Sequence, residues 1–177
     1  MPQQPVDQSV IRAATLGDAG AIVAIYNHFV RETIVTFEEV EIDAAELGRR
    51  MQTVWSAGLP WLVVEDHNDV VGYAYATRWK ERVGYRFSAE ATIYLAPAAT
   101  GKGIGMRLYG ALFTQLEACG VHAVIGGIAL PNDASVALHA RMGMKQVAHF
   151  EQTGFKFDRW IDVAYWERLL PIRAGTS

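Results

Sequence analysis

The stretch Glu90–Gly110, EATIYLAPAATGKGIGMRLYG, constrains the fold more than any other in the chain. Ala89, Ala91, Ile93 and Leu95 alternate with Ser88, Glu90, Thr92 and Tyr94, the period of a strand with one apolar face. Pro97 ends the strand, because proline cannot donate to a ladder. Thr100-Gly101-Lys102-Gly103-Ile104-Gly105 is then a glycine-dense turn. Beyond it, Leu108, Leu112 and Leu116 repeat at helical spacing, with Phe113 widening the stripe. A strand, a glycine loop and a helix in this order present unpaired backbone N–H groups and the positive end of a helix dipole to an anion. Lys102 and Arg107 add positive charge.

Glycine spacing narrows the ligand. The run required of a P-loop is absent, and a dinucleotide fingerprint would need glycine where Met106 and Leu108 stand. Two readings of the loop remain on spacing alone. It is a cradle for the phosphates of some other ligand, or a tight strand-to-helix connection whose glycines permit close packing.

Around this centre the chain reads as helices and mostly consecutive strands. Val10–Ala14 is an opening strand, and Thr15-Leu16-Gly17-Asp18 has the form of a capping box. Ile22, Ile25, Tyr26 and Phe29 share one face of the helix that follows. A second helix starts at Asp43, with Leu47, Met51 and Val54 as its inner stripe. Trp61–Glu65 and Val70–Trp79 are strands joined by the turn-prone Asp66-His67-Asn68-Asp69. After the central helix, capped by Gly120, come a strand at His122–Leu130 and a short helix from Asn132 to Met142. Two last strands, Lys145–Thr153 and Arg159–Glu167, place Gly154 in the turn between them. The predicted order is β-α-α-β-β-β-α-β-α-β-β, an α/β (α+β) layer structure around a mixed, mostly antiparallel sheet. The expected organisation is one domain over 10–170, with loose tails at 1–9 and 171–177.

Composition excludes several classes. A net charge of −3 with mixed signs gives no basis for binding nucleic acid or a membrane surface. The single cysteine, Cys119, rules out an internal disulfide and has no His or Asp pattern around it, which argues against a covalent acyl-cysteine. The five histidines show no metal-ligand spacing. No apolar run approaches the roughly 20 residues of a membrane span, and Met1–Ser9 lacks signal-peptide features. The expectation is a cytoplasmic setting.

At residue level the loop resembles the acyl-CoA pyrophosphate loop of the GNAT acetyltransferase superfamily, Gln/Arg-x-x-Gly-x-Gly/Ala, with Gly103 and Gly105 on the glycine positions and Thr100 where Gln or Arg is usual. The resemblance extends over about residues 10 to 168. Asn27-His28, Val35-Thr36-Phe37, Pro60-Trp61-Leu62-Val63, Arg78-Trp79-Lys80, Tyr85-Arg86, Glu90, Leu130-Pro131-Asn132-Asp133, Leu138-His139 and Lys156-Phe157-Asp158-Arg159-Trp160 are similar, in order, to the phosphinothricin and methionine sulfoximine acetyltransferase group. The GNAT fold and acetyl-CoA as co-substrate follow from that resemblance, with no metal.

The resemblance also implies roles. Glu90 matches the family's catalytic glutamate, which takes a proton from the acceptor amine; from pattern alone it is equally a solvated glutamate on an exposed strand face. His139 stands where many members have the tyrosine that protonates the leaving thiolate; without the family context it is a polar helix residue. Ile93, Tyr94, Leu95, Thr100, Gly101, Lys102, Gly103, Ile104, Gly105, Asn132 and Ser135 are the implied cofactor contacts. Asn27, Phe37, Arg78, Lys80, Tyr85 and Phe87 are the implied acceptor contacts, with Arg78 as a bidentate clamp for a carboxylate. The implied reaction is direct transfer to a small amino-acid acceptor, associated with herbicide or antibiotic resistance, and the aromatic Phe155–Trp166 segment implies a homodimer. The alternatives are an acetyltransferase for another small primary amine and, from another class, a non-catalytic acyl-CoA-binding regulatory module.

Overall fold

A computed structural model of the chain describes residues 9–171. The expected tails therefore lie outside the described residues, apart from Ser9 and Pro171. Ser9 is not loose: it is buried, and Arg107 donates to its hydroxyl at 2.7 Å and to its carbonyl at 2.9 Å. Two of the Arg107 guanidinium donors are thus committed to Ser9.

Seven strands and four α-helices follow in sequence: β1 Val10–Ala13, α1 Ala19–Glu32, α2 Ala44–Ser56, β2 Trp61–Asp66, β3 Asp69–Arg78, β4 Ser88–Leu95, α3 Ile104–Ala118, β5 Ala123–Ala129, α4 Asp133–Arg141, β6 Lys145–Lys156 and β7 Arg159–Leu169. The strands form one sheet in the order β1-β2-β3-β4-β5-β7-β6. Every neighbouring pair is antiparallel except β4 and β5. This is the mixed, mostly antiparallel sheet expected from the pattern. Among the described residues no helix is long and apolar enough to cross a membrane.

Alternation along β4 divides the core. Ala89 and Ala91 join Leu108, Leu112 and Leu116 of α3, with Val124 and Ile128 of β5. Tyr94 joins Ile22 and Val30 of α1, Met51 of α2 and Tyr73 of β3 on the opposite face. The three α3 leucines have no exposed surface, and such burial contributes about 1.5–3 kcal/mol for each side chain.

Helix starts follow the expected chemistry. Asp18 reaches back to the Thr15 amide at 2.7 Å, and the Glu46 amide donates to Asp43 at 2.7 Å. One turn was misplaced by the sequence pattern. Gly154 does not end β6: it pairs with Ile161 inside the ladder, and the turn lies at Phe157-Asp158, both with positive φ.

Candidate active site

The β4–β5 pair is where the sheet comes apart. Pairing is confined to Ser88–Ala123, Ala89–Val124 and Glu90–Ile125, yet β4 runs on to Leu95 and β5 to Ala129. Past Glu90 the backbone edges face a cleft instead of one another. Two cavities fill it. A groove of about 380 Å³ runs between Ile93, Tyr94 and Leu95 of β4, the Thr100–Gly105 loop, and Asn132, Ser135 and Leu138 at the α4 side. A narrow space of about 50 Å³ continues from Asn132 and Ser135 to His139, Tyr109 and Gly127.

The geometry of the loop end can accommodate a phosphate-bearing group. Gly101 and Gly103 have φ of 76° and 79°, a region costly for side-chain-bearing residues, and open space lies where their Cβ atoms would be. Gly105 packs close to Leu95 and Leu138, which lets the start of α3 approach the groove. The first-turn amides of a helix have no intrahelical acceptor, so those at Ile104, Gly105 and Met106 are available to an anion. Ile104 offers only its backbone there, because its side chain is buried in the core. Lys102 is exposed, and the Thr100 hydroxyl is spent on the Pro97 carbonyl at 2.8 Å. Tyr94 likewise lines the groove along its strand while its side chain packs among Tyr26, Phe29 and Tyr73. Asn132 caps α4 through the Ser135 amide at 3.1 Å.

Glu90 lies at the mouth of the split, on the face opposite His139. Burial raises its pKa above the usual 4.5, opposed by the nearby Lys80 ammonium. A Cβ on Gly127 would come within 3.4 Å of the Glu90 carboxylate, so the glycine makes room for that group. Tyr165 flanks the same spot and meets Trp79 edge-on at 5.5 Å, and Lys80 sits over the Trp79 ring at 4.7 Å.

His139 is buried against Gly126, where a Cβ would approach Nε2 to 2.6 Å. Its Nδ1 lies 2.8 Å from the Ser135 carbonyl. A carbonyl can only accept, so Nδ1 carries the hydrogen. Burial lowers the His139 pKa, which favours the neutral ring, whose Nε2 is then an acceptor facing the Tyr109 hydroxyl at 3.2 Å. That hydroxyl is also 3.2 Å from the Ala91 carbonyl. Protonated His139 donates to Tyr109, and Tyr109 to Ala91; neutral His139 accepts from Tyr109. Either way the pair keeps its hydrogens bonded, so it can hold or release one proton.

The acceptor contacts expected from sequence are only partly gathered here. Lys80 is beside Glu90. Arg78 is not: it pairs with Ala89, whereas Glu90 pairs with Thr77, so strand alternation sends Arg78 to the other face. Asn27 is also committed elsewhere, donating to the Ile42 carbonyl at 2.8 Å and accepting from its amide at 3.1 Å. Phe37 lies against Gly154 of β6. Tyr85 and Phe87 are exposed, the latter under the Arg86 guanidinium at 4.4 Å. A separate cavity of about 230 Å³ on the Glu90 face is lined by Trp61, Tyr73, Tyr75 and Thr77, with Arg50 at its α2 side; Thr77 is the cross-strand partner of Glu90. The sequence reading missed Tyr109, Tyr165 and the Gly126-Gly127 pair. Adjacent glycines inside an otherwise apolar strand were the available signal. Among the described residues no group of three or more His, Cys, Asp or Glu is placed to hold a metal.

The chain is similar to known proteins over nearly all of its length. Residues 11–165 match the acetyltransferase (GNAT) domain model. Over 168 residues the chain is 40% identical to a phosphinothricin N-acetyltransferase of Alcaligenes faecalis, covering 94% of this chain and 84% of the relative. It is 34% identical to the L-methionine sulfoximine/L-methionine sulfone acetyltransferase of Salmonella typhimurium, covering 93% and 96% of the two chains. The structure of yncA from Salmonella typhimurium, with its cofactor acetyl-CoA, superposes with a TM-score of 0.90 at 33% identity, covering 96% of this chain and 98% of that one.

Proposed function

The chain belongs to the GNAT acetyltransferase family, and on that premise we propose that it moves an acetyl group from acetyl-CoA to the α-amine of a phosphinothricin-like or methionine sulfoximine/sulfone-like amino acid, by direct transfer in a ternary complex. Acetyl-CoA supplies the activated acetyl thioester. The residues of this chain bind, orient and move protons around it.

The loop amides at 104–106 and the Gly101 and Gly103 backbone hold the pyrophosphate, and the unpaired edge of β4 from Ile93 to Leu95 lies alongside the pantetheine arm. Asn132 caps α4 and faces the same arm. An acceptor amine is mostly ammonium near neutral pH and must lose a proton before it attacks. Glu90 accepts that proton, directly or through one water. Its raised pKa makes it a stronger base than a solvated glutamate. On the far side of the split, protonated His139, made a stronger acid by its burial, passes its Nε2 proton through the Tyr109 hydroxyl to the departing thiolate and is left as the neutral ring. Lys80, not Arg78, is the cation placed to meet the acceptor carboxylate, and the aromatic cavity beside Thr77 accepts the acceptor's side chain.

The observation that carries this reading is the half-buried Glu90 carboxylate set opposite Gly127, where β4 and β5 separate beyond the glycine loop. The names of the relatives supply the acceptor class. Two copies of the chain pair as a homodimer through the aromatic β6–β7 hairpin in the same reading.

Thiol release from acetyl-CoA by the purified protein tests it, with L-phosphinothricin, L-methionine sulfoximine, L-methionine sulfone and the ordinary amino acids as acceptors. The expected result is rapid release with one or more of the first three. Release only with an unrelated amine would replace the acceptor class. No release with any amine, alongside tight acetyl-CoA binding, would replace the enzyme reading with a binding module.

A further inference from the structure

Lys156, at the end of β6, is the most deeply buried charged side chain among the described residues, at 1% exposure. Among the described residues it has no carboxylate partner within ion-pair distance. Its Nζ donates to the Thr36 carbonyl at 2.8 Å and lies 5.1 Å from the centre of the Phe157 ring. Glu38 and Glu39 act on it only as nearby charges, and burial lowers its pKa. Desolvating an ammonium for one carbonyl is costly. A second cost sits next to it, since the turn runs through Phe157 and Asp158 at φ of 52° and 55°. That conformation is unfavourable for a bulky side chain and persists only where its surroundings enforce it.

Both costs bear on one segment. Between α1 and α2 the chain from Thr33 to Asp43 has no strand pairing, so side-chain tethers hold it. Asn27 clamps Ile42 from both sides, and the Thr36 hydroxyl is 2.9 Å from that of Tyr26. Phe37 presses on Gly154 so closely that a Cβ there would fall 2.2 Å from its ring. Val35 lines both the cofactor groove and the narrow space under His139. The segment thus joins the cleft to the β6–β7 hairpin, and the grip from the hairpin side is Lys156.

We infer that Lys156 is a positioning residue: by holding the Thr36 carbonyl it fixes residues 33–38 against the hairpin and so sets Tyr26, whose hydroxyl meets that of Thr36, at the wall of the aromatic cavity that takes the acceptor. This rests on reading the cleft as the site of acetyl transfer to an amino acid. Lys156 touches neither substrate and acts through the segment alone.

Lys156→Met keeps most of the length and volume while removing the charge and the donor. The expected result is an acceptor KM raised about tenfold, the low end for losing a hydrogen bond to a charged group. The Kd for acetyl-CoA and kcat should change little, and amide exchange across 33–42 should speed up while β2–β4 stays protected. Gly154→Ala displaces Phe37 without touching Lys156 and should reproduce the rise in KM. The two effects should not multiply in the combined variant, as for residues acting through one element. Unchanged acceptor KM and unchanged exchange in Lys156→Met would overturn the inference, as would an unaltered KM in Gly154→Ala. Should Lys156→Met fail to fold, Gly154→Ala decides by the same criterion. If the wild-type protein acetylates no amino acid, the functional reading falls, and amide exchange still reports on the Lys156 grip.

Discussion

Two glycines on β5 decide where the proposed base and acid can stand. Gly126 leaves the space that His139 fills on the α3 face, and Gly127 leaves the space beside Glu90 on the other. Consecutive strand residues point to opposite faces, so the pair of glycines opens room on both sides of the split at the same height. The charged and titratable groups acting on Glu90 and its neighbours are Lys80, which lowers the Glu90 pKa, and Tyr75, Tyr109 and Tyr165, whose own pKa values Glu90 helps to raise. If Glu90 takes the amine proton, Glu90→Gln should lower kcat by about 10²–10⁴-fold with acetyl-CoA binding retained. A variant with wild-type kcat would end that assignment. The pH dependence follows from the sign of the shift. The base works when ionised, so kcat/KM should rise with pH through a limb above 4.5. Removing the opposing cation in Lys80→Met lets the Glu90 pKa climb further, and the limb should move to higher pH. A limb that stays in place, or moves down, would mean that some other group titrates there.

At the scale of elements, the start of α1 is pinned to the sheet by a charge cluster. The Arg12 guanidinium bonds both Asp18 oxygens, at 2.8 and 2.7 Å, and also Glu65 of β2. The Arg12 hydrogen bonds hold the Asp18 pKa down at about 2, and the Thr15 amide and hydroxyl add to this. A depressed folded-state pKa stabilises above the unfolded value, and the gain is lost as pH falls through the folded one. This contribution should therefore be complete above about pH 4 and disappear toward pH 2. Asp18→Asn should cost on the order of 2 kcal/mol at neutral pH. Urea unfolding at pH 7 and at pH 2.5 checks this, because the gap between the two proteins should narrow in acid. The capping box that makes this cluster was legible in Thr15-Leu16-Gly17-Asp18, as were β4, the glycine loop and α3, because each signal is local. What escaped was set by contacts between elements. Asn27 has the chemistry of a ligand residue, but the fold places Ile42 against it. Arg78 has the chemistry of a clamp, yet the register with Ala89 turns it away from Glu90. The β6–β7 turn was misplaced because Gly154 advertises a turn, whereas the chain turns at Phe157-Asp158, where Asp158 tolerates positive φ but Phe157 does not favour it.

For the molecule as a whole, the unusual surface is at the β6 edge of the sheet. β6 pairs on one side only, and an edge strand offers unpaired backbone groups that proteins ordinarily blunt or cover. Here the hairpin is aromatic instead. Phe155 and Trp160 are cross-strand partners, 4.9 Å apart in an edge-to-face contact, and they are 47% and 61% exposed. Phe150 and Phe157 are also about half exposed. Exposed apolar clusters of this kind on a folded chain mark contact surfaces, and a second copy of the same hairpin would meet it with the same chemistry in a two-fold arrangement. The same hairpin carries Gly154 and Lys156, which brace residues 33–38 at the cleft. Pairing of two copies would therefore stiffen the element against which the acceptor side is held. Sedimentation equilibrium at micromolar concentration should give the mass of two chains, and Trp160→Asp should shift it to one by placing a charge in the centre of the contact. If assembly and activity are connected through the hairpin, the monomeric variant should also show a raised acceptor KM with acetyl-CoA affinity retained. A monomeric wild-type protein would remove the homodimer. A monomeric variant with unchanged KM would keep the homodimer and separate it from the acceptor site.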